Sequence, residues 1–88
     1  MLTPNDFKLG ATAYAVTVPH GGNPMAIISE EQVMFIDSTY LITGTNALKR
    51  VYLINGTDYL YEKVDYGPYR RLFVTPIDAE NHIKKIQQ

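Results

Sequence analysis

The dominant rhythm along the chain is a two-residue alternation, interrupted at short intervals by turn residues. "ATAYAVTV" (11–18) places Thr12, Tyr14, Val16 and Val18 on one face and Ala13, Ala15 and Thr17 on the other. Neither face is strongly polar, so the pattern predicts a strand partly covered on both sides. "PHGGNP" (19–24) is the strongest break in the chain. "MAIISEEQVMFID" (25–37) holds two β-prone runs around Glu30 and Glu31. It reads as one long bent strand, a hairpin, or two strands joined by a loop, with the acidic pair as a solvated turn. "STYLITG" (38–44) is β-rich and ends in glycine. "ALKRVYLI" (47–54), Asn55-Gly56 and "TDYLYEKV" (57–64) predict a hairpin on a tight type I′ turn, because Asn-Gly supplies its two positive-φ residues. "DYGP" (65–68) is a further turn and "YRRLFV" (69–74) a last short strand.

Helical period appears at the two ends, each behind a Thr-Pro. Thr3-Pro4-Asn5-Asp6 has a hydroxyl cap, a proline whose missing N–H costs nothing there, and an acid three residues after the cap. Gly10 confines this first segment to a short helical turn within 3–9, from which Phe7 and Leu9 are expected to tuck against the sheet. Thr75-Pro76-Ile77-Asp78 repeats the signature and predicts a helix over 75–87. Asp78 suits its positive end and Lys84-Lys85 its negative end. Ala79, Ile83 and Ile86 form its apolar stripe, and Glu80 and Lys84 can pair four residues apart.

Five or six short strands, with turns every eight to twelve residues and one terminal helix, predict a mainly β (α+β) domain. The expected form is a small antiparallel barrel or curled sheet of the SH3-like or OB-like kind, its strands within 11–74 and its helix plugging or covering one open side. The 88 residues are expected to form one domain.

Composition narrows the class. With 45% apolar and 19% charged residues and a net charge of −1, the chain can fill one small core and is not a disordered tail. The absence of cysteine excludes disulfides, thiolate nucleophiles and cysteine metal sites. "MLTPNDFKLG" shows no basic-then-apolar leader pattern, and the apolar runs fall short of a membrane span. The expected location is therefore cytoplasmic, with no membrane partner.

No catalytic constellation assembles. His20 lies in the Gly-rich loop, and His82 with Asp78 offers two ligands where a metal needs more, so that pair reads as a surface hydrogen bond. Glu30 and Glu31 are adjacent and would point to opposite faces of a strand. "HGGNP" is followed by no helix start or lysine of a phosphate loop. The reading is a non-enzyme with no cofactor and no metal.

What remains is surface. Residues 1–44 carry Lys8 against Asp6, Glu30, Glu31 and Asp37, a net −3, whereas 45–88 carry a net +2 and five of the seven tyrosines. On the 47–64 hairpin, Val51 and Leu53 share one face, with Tyr52 and Ile54 on the other. Tyr52, Tyr59, Tyr61 and Tyr69 edged by Lys49, Arg50, Arg70 and Arg71 would make an aromatic face rimmed by cations. Tyrosine and arginine are enriched at interface hot spots, so a protein partner is the first reading. Single-stranded nucleic acid stacking on the rings is the alternative, against which the net charge counts. Cross-strand packing of the rings is the structural reading. In "YGPYRRLF", Gly67-Pro68 turn the chain, Leu72 and Phe73 are expected under the helix, and Tyr69, Arg70 and Arg71 toward solvent. Self-association through exposed sheet edges is a further expectation.

Two phrases carry a resemblance. Phe7, Gly10, Tyr14 and Val16 match an F-x-x-G-x-x-x-Y-x-V phrase, and Leu72, Phe73, Thr75 and Ala79 match L-F-x-[ST]-x-x-x-A. In both, the chain resembles small bacteriophage and Gram-positive bacterial proteins in which the first phrase opens a β-barrel and the second leads into a final helix. The resemblance covers about a quarter of the chain and carries over no functional residue. It implies a phage or mobile-element accessory protein that binds a host protein.

Overall fold

The computed structural model describes residues 3–18, 26–44, 48–54, 60–62 and 69–86. These form β1 (Thr12–Val18), β2 (Ile27–Ile36), β3 (Tyr40–Gly44), β4 (Lys49–Ile54), β5 (Leu60–Glu62), β6 (Tyr69–Phe73) and a helix, α1 (Pro76–Ile86). Each strand runs antiparallel to the next, and β6 pairs back onto β1, with Tyr14 opposite Phe73 and Val18 opposite Tyr69. The protein is thus the mainly β barrel with a C-terminal helix that the alternation predicts. Its strands follow chain order, an up-and-down arrangement rather than the Greek key of an OB barrel. Among the described residues β5 pairs with β4 only at Leu53 and Ile54.

Strand β1 is covered on both faces. Ala13 and Ala15 point into the barrel, where they meet Phe7, Val33, Leu41, Tyr52 and Leu72. Val16 points outward and packs with Phe73 and Ala79 of α1, flanked by Tyr14, Val18 and Ile83. The small β1 side chains leave interior space that Tyr52 and Leu41 fill from across the barrel and Leu72 from the neighbouring β6.

Phe7 closes one end of the barrel. A 3-10 turn at Pro4–Asp6 delivers it, held by the Thr3 N–H donating to Asp6 Oδ2 at 2.7 Å and the Asp6 N–H donating to the Thr3 carbonyl at 3.0 Å. Gly10 then takes φ +84°, where a side chain would be strained, and donates its N–H to the Val33 carbonyl at 2.8 Å. Leu9 does not join Phe7; it is 69% exposed.

At the other terminus the Asp78 N–H donates to Thr75 Oγ1 at 3.2 Å, the cap its sequence predicts. Ala79 and His82 are the buried residues of α1, Ile83 packs beside them, and Ile86 stands over a third exposed. His82 is therefore not the surface partner of Asp78: its ring lies 5.1 Å from that of Phe73. Leu72 and Phe73 separate too. Adjacent strand residues face opposite ways, so Phe73 goes under α1 and Leu72 into the barrel.

One open alternative is decided and one expectation changes. Residues 27–36 are one strand, with the register shifting between Val33 and Phe35. Strands β4 and β5 do form a hairpin, but Ile54 stands opposite Leu60, so the segment between is longer than the two residues of a tight turn. Asn55-Gly56, "PHGGNP" and "DYGP" lie outside the described residues.

Candidate protein-binding face

The alternation of β4 decides which predicted site residues reach solvent. Thr43 stands opposite Arg50, and Leu41 opposite Tyr52. Leu41 and Thr43 are buried, so Arg50 and Tyr52 turn inward while Lys49, Val51 and Leu53 turn outward.

What draws Tyr52 inward is Glu31. This residue is 1% exposed, on β2 opposite Ala13. Its Oε1 accepts from the Thr43 hydroxyl at 2.6 Å and the Tyr52 hydroxyl at 2.8 Å. Its Oε2 accepts from Arg50 Nη1 at 2.8 Å and the Ser29 hydroxyl at 3.4 Å. A buried carboxylate is costly unless each lone pair finds a donor, and here four donors on three strands supply them. The acidic pair is thus no solvated turn. Glu30 faces solvent and Glu31 the interior, as adjacent strand residues must.

Tyr52 and Arg50 accordingly leave the expected binding face: one is wholly buried, and the other is committed to an ion pair with its side chain 18% exposed. Lys49 is exposed. Arg70 and Arg71 are half-buried on β6, with Arg71 opposite both Val16 and Tyr61. Tyr61 stands opposite Leu53, and Tyr69 opposite Val18. Tyr59 lies outside the described residues.

The outer face of β2–β4 holds a different set. The register lines up Phe35, Ile42 and Val51 in one row, and Tyr40 with Leu53 in the next. Phe35 and Val51 are each 45% exposed, and Leu53 38%. The Phe35 and Tyr40 rings stack at 5.7 Å. The β2 bulge adds a sixth member: the extra residue puts Met34 outside as well as Phe35. The Met34 thioether lies over Gly44, where a Cβ would collide with its sulfur. On the far side of the barrel, the equivalent outer face of β1 and β6 is covered by α1.

Beside this patch an open groove of about 540 Å³ runs between Gly10, Thr12, Glu30, Gln32, Met34 and Gly44. Among its described lining residues the charges are Glu30, facing outward, and the buried Glu31. Among the described residues no group of three or more His, Cys, Asp or Glu is placed to hold a metal ion, and no helix is long and apolar enough to cross a membrane.

The pairing of Val51 with Leu53 on one face is legible in "KRVYLI"; the ring-bearing face is the one expected outward, because tyrosine tolerates water. Of the missed residues, Met34 and Phe35 sit where the β2 bulge breaks the alternation, whereas Tyr40 and Ile42 alternate regularly on β3. Comparison with protein-family models, curated proteins and solved structures finds no match to the chain.

Proposed function

We propose that the protein is a non-catalytic binding module that takes a protein partner on the outer face of β2–β4. The observation that carries this reading is the row Phe35–Ile42–Val51 with its neighbours Tyr40 and Leu53, apolar side chains gathered on one rigid wall and left partly in water. A contiguous exposed apolar patch is unfavourable unless something covers it. Barrel strands hold such a patch in place, so binding it costs little ordering entropy.

The nucleic-acid alternative has less support. It loses Tyr52 as a stacking ring and Arg50 as a phosphate contact, and Lys49 is the one cation on the outer face of β4. The resemblance of the chain ends to phage and Gram-positive proteins supports a cytoplasmic setting for the protein.

A photo-crosslinking residue at position 51, with a control at the exposed Glu80 of α1, tests the reading. Protein adducts formed at position 51 and not at 80 support it. No adduct at 51, or equal labelling at both, overturns it.

A further inference from the structure

We infer that the outer face of β2–β4 is covered by a second copy of this chain, packed face to face about a two-fold axis that crosses the strands. This rests on the reading of that face as a protein-binding surface and names its occupant.

Three observations select a second copy. First, the fold covers the outer face of β1 and β6 with its own α1 and leaves the β2–β4 face without a described element over it. Second, the patch Met34, Phe35, Tyr40, Ile42, Val51 and Leu53 contains no charge, so the same surface can meet itself without like-charge repulsion. Third, its two ends carry opposite signs. Asp37 is exposed at the β2–β3 turn, where its N–H donates to the Tyr40 carbonyl at 2.9 Å. Lys49 is exposed at the start of β4, opposite Gly44.

Tyr40 and Gly44 bound the patch along β3, a separation of about 13 Å at about 3.3 Å per residue. An axis across the strands reverses strand direction between copies. The Asp37 end of one then lies over the Lys49 end of the other, twice per pair. An axis along the strands would instead set Asp37 over Asp37 and Lys49 over Lys49, so the charges choose the first orientation.

The patch spans three strands about 4.8 Å apart, a smaller surface than the roughly 800 Å² per partner of a standard interface. The pair is therefore a weak one, with Kd expected between about 10 µM and 1 mM.

The chain's lack of cysteine makes the test direct. Lys49→Cys and Asp37→Cys variants, tagged differently, are mixed and oxidised, and sedimentation of the unmodified chain is followed over about two decades of concentration up to the Kd range. The expected result is a concentration-dependent rise in mass, a 37–49 disulfide between differently tagged chains several-fold above the 37–37 and 49–49 products, and loss of the rise in Val51→Lys with its melting temperature unchanged. A monomer at every concentration overturns the second copy, as does a mass rise that Val51→Lys does not affect; a 37–37 and 49–49 pattern overturns the orientation. Adducts of position 51 with other proteins but not with this chain would leave the binding face standing and remove only the second copy as its occupant.

Discussion

The Tyr52 hydroxyl lies 2.8 Å from Oε1 of Glu31, across 21 residues of sequence, inside the barrel to whose wall both strands belong. Tyr52→Phe keeps the ring in place and deletes one donor to a buried carboxylate that retains Thr43, Arg50 and Ser29. Loss of one such bond to a charged group costs about 1.5–3 kcal/mol. The melting temperature of a domain this size should fall by about 4–8 °C for each kcal/mol. A melt that does not move would show that the hydroxyl's bond to Glu31 contributes nothing.

Glu31→Ala should be worse. It strands the donors of Thr43 and Tyr52 in an apolar interior, where each unsatisfied group costs about 1–3 kcal/mol. Arg50 escapes part of this, because its side chain already touches solvent. The expected loss of about 3–5 kcal/mol approaches the total stability of a small domain. Replacing Glu31 and Arg50 together by apolar residues should then cost less than the two single losses added. Additive losses, read from urea titrations, would contradict the coupling.

Phe7 and Leu9 are two residues apart and should behave as opposites. Phe7→Ala opens the barrel end among Val33, Leu41 and Leu72 and should cost about 3–5 kcal/mol. Leu9→Ala, on a side chain in water, should stay within about 0.5 kcal/mol. Equal losses in chemical denaturation would mean that Phe7 is no plug.

The parts of this fold legible in the sequence are those set by local rules. Alternating small and β-branched residues in "ATAYAVTV" announce a strand covered on both sides, and Thr75 before Pro76 announces α1 through a hydroxyl that indeed receives the Asp78 N–H. Glu31 is illegible because two adjacent glutamates look like a solvated turn, while the donors that make its burial tolerable come from 12, 19 and 21 residues downstream. The outward face is half legible for a similar reason. Val51 and Leu53 share a face by period alone, but which face meets water depends on Ala13 and Ala15 leaving space for Tyr52 across the barrel.

Gly44 and Met34 offer a test of sign. A Cβ at Gly44 would meet the Met34 side chain, which lies on the surface and is half-exposed. Gly44→Ala should therefore destabilise by up to about 1 kcal/mol, since the thioether must swing away from its contact. With Met34→Ala already present, the same change should stabilise by about 0.5–1 kcal/mol, the usual gain of alanine over glycine within a strand. If the sign stays the same in both backgrounds, Met34 is not what keeps position 44 a glycine.

His82 predicts a pH dependence. Burial beside Phe73 holds its pKa below the ordinary 6.5, and the positive charges of Arg71 on β6 and Lys85 on α1 lower it further. The folded state thus prefers the neutral ring, and well above pH 6.5 neither state binds the proton and stability is unaffected. As pH falls below that value the unfolded chain takes up the proton first, so stability declines until the folded ring also protonates. The loss should set in over the window around pH 6.5, where the unfolded histidine takes up its proton. His82→Leu should flatten that part of the curve while keeping α1 docked. The measurement is urea midpoint against pH for both chains; parallel slopes through that window would show that the ring beneath α1 does not sense the proton.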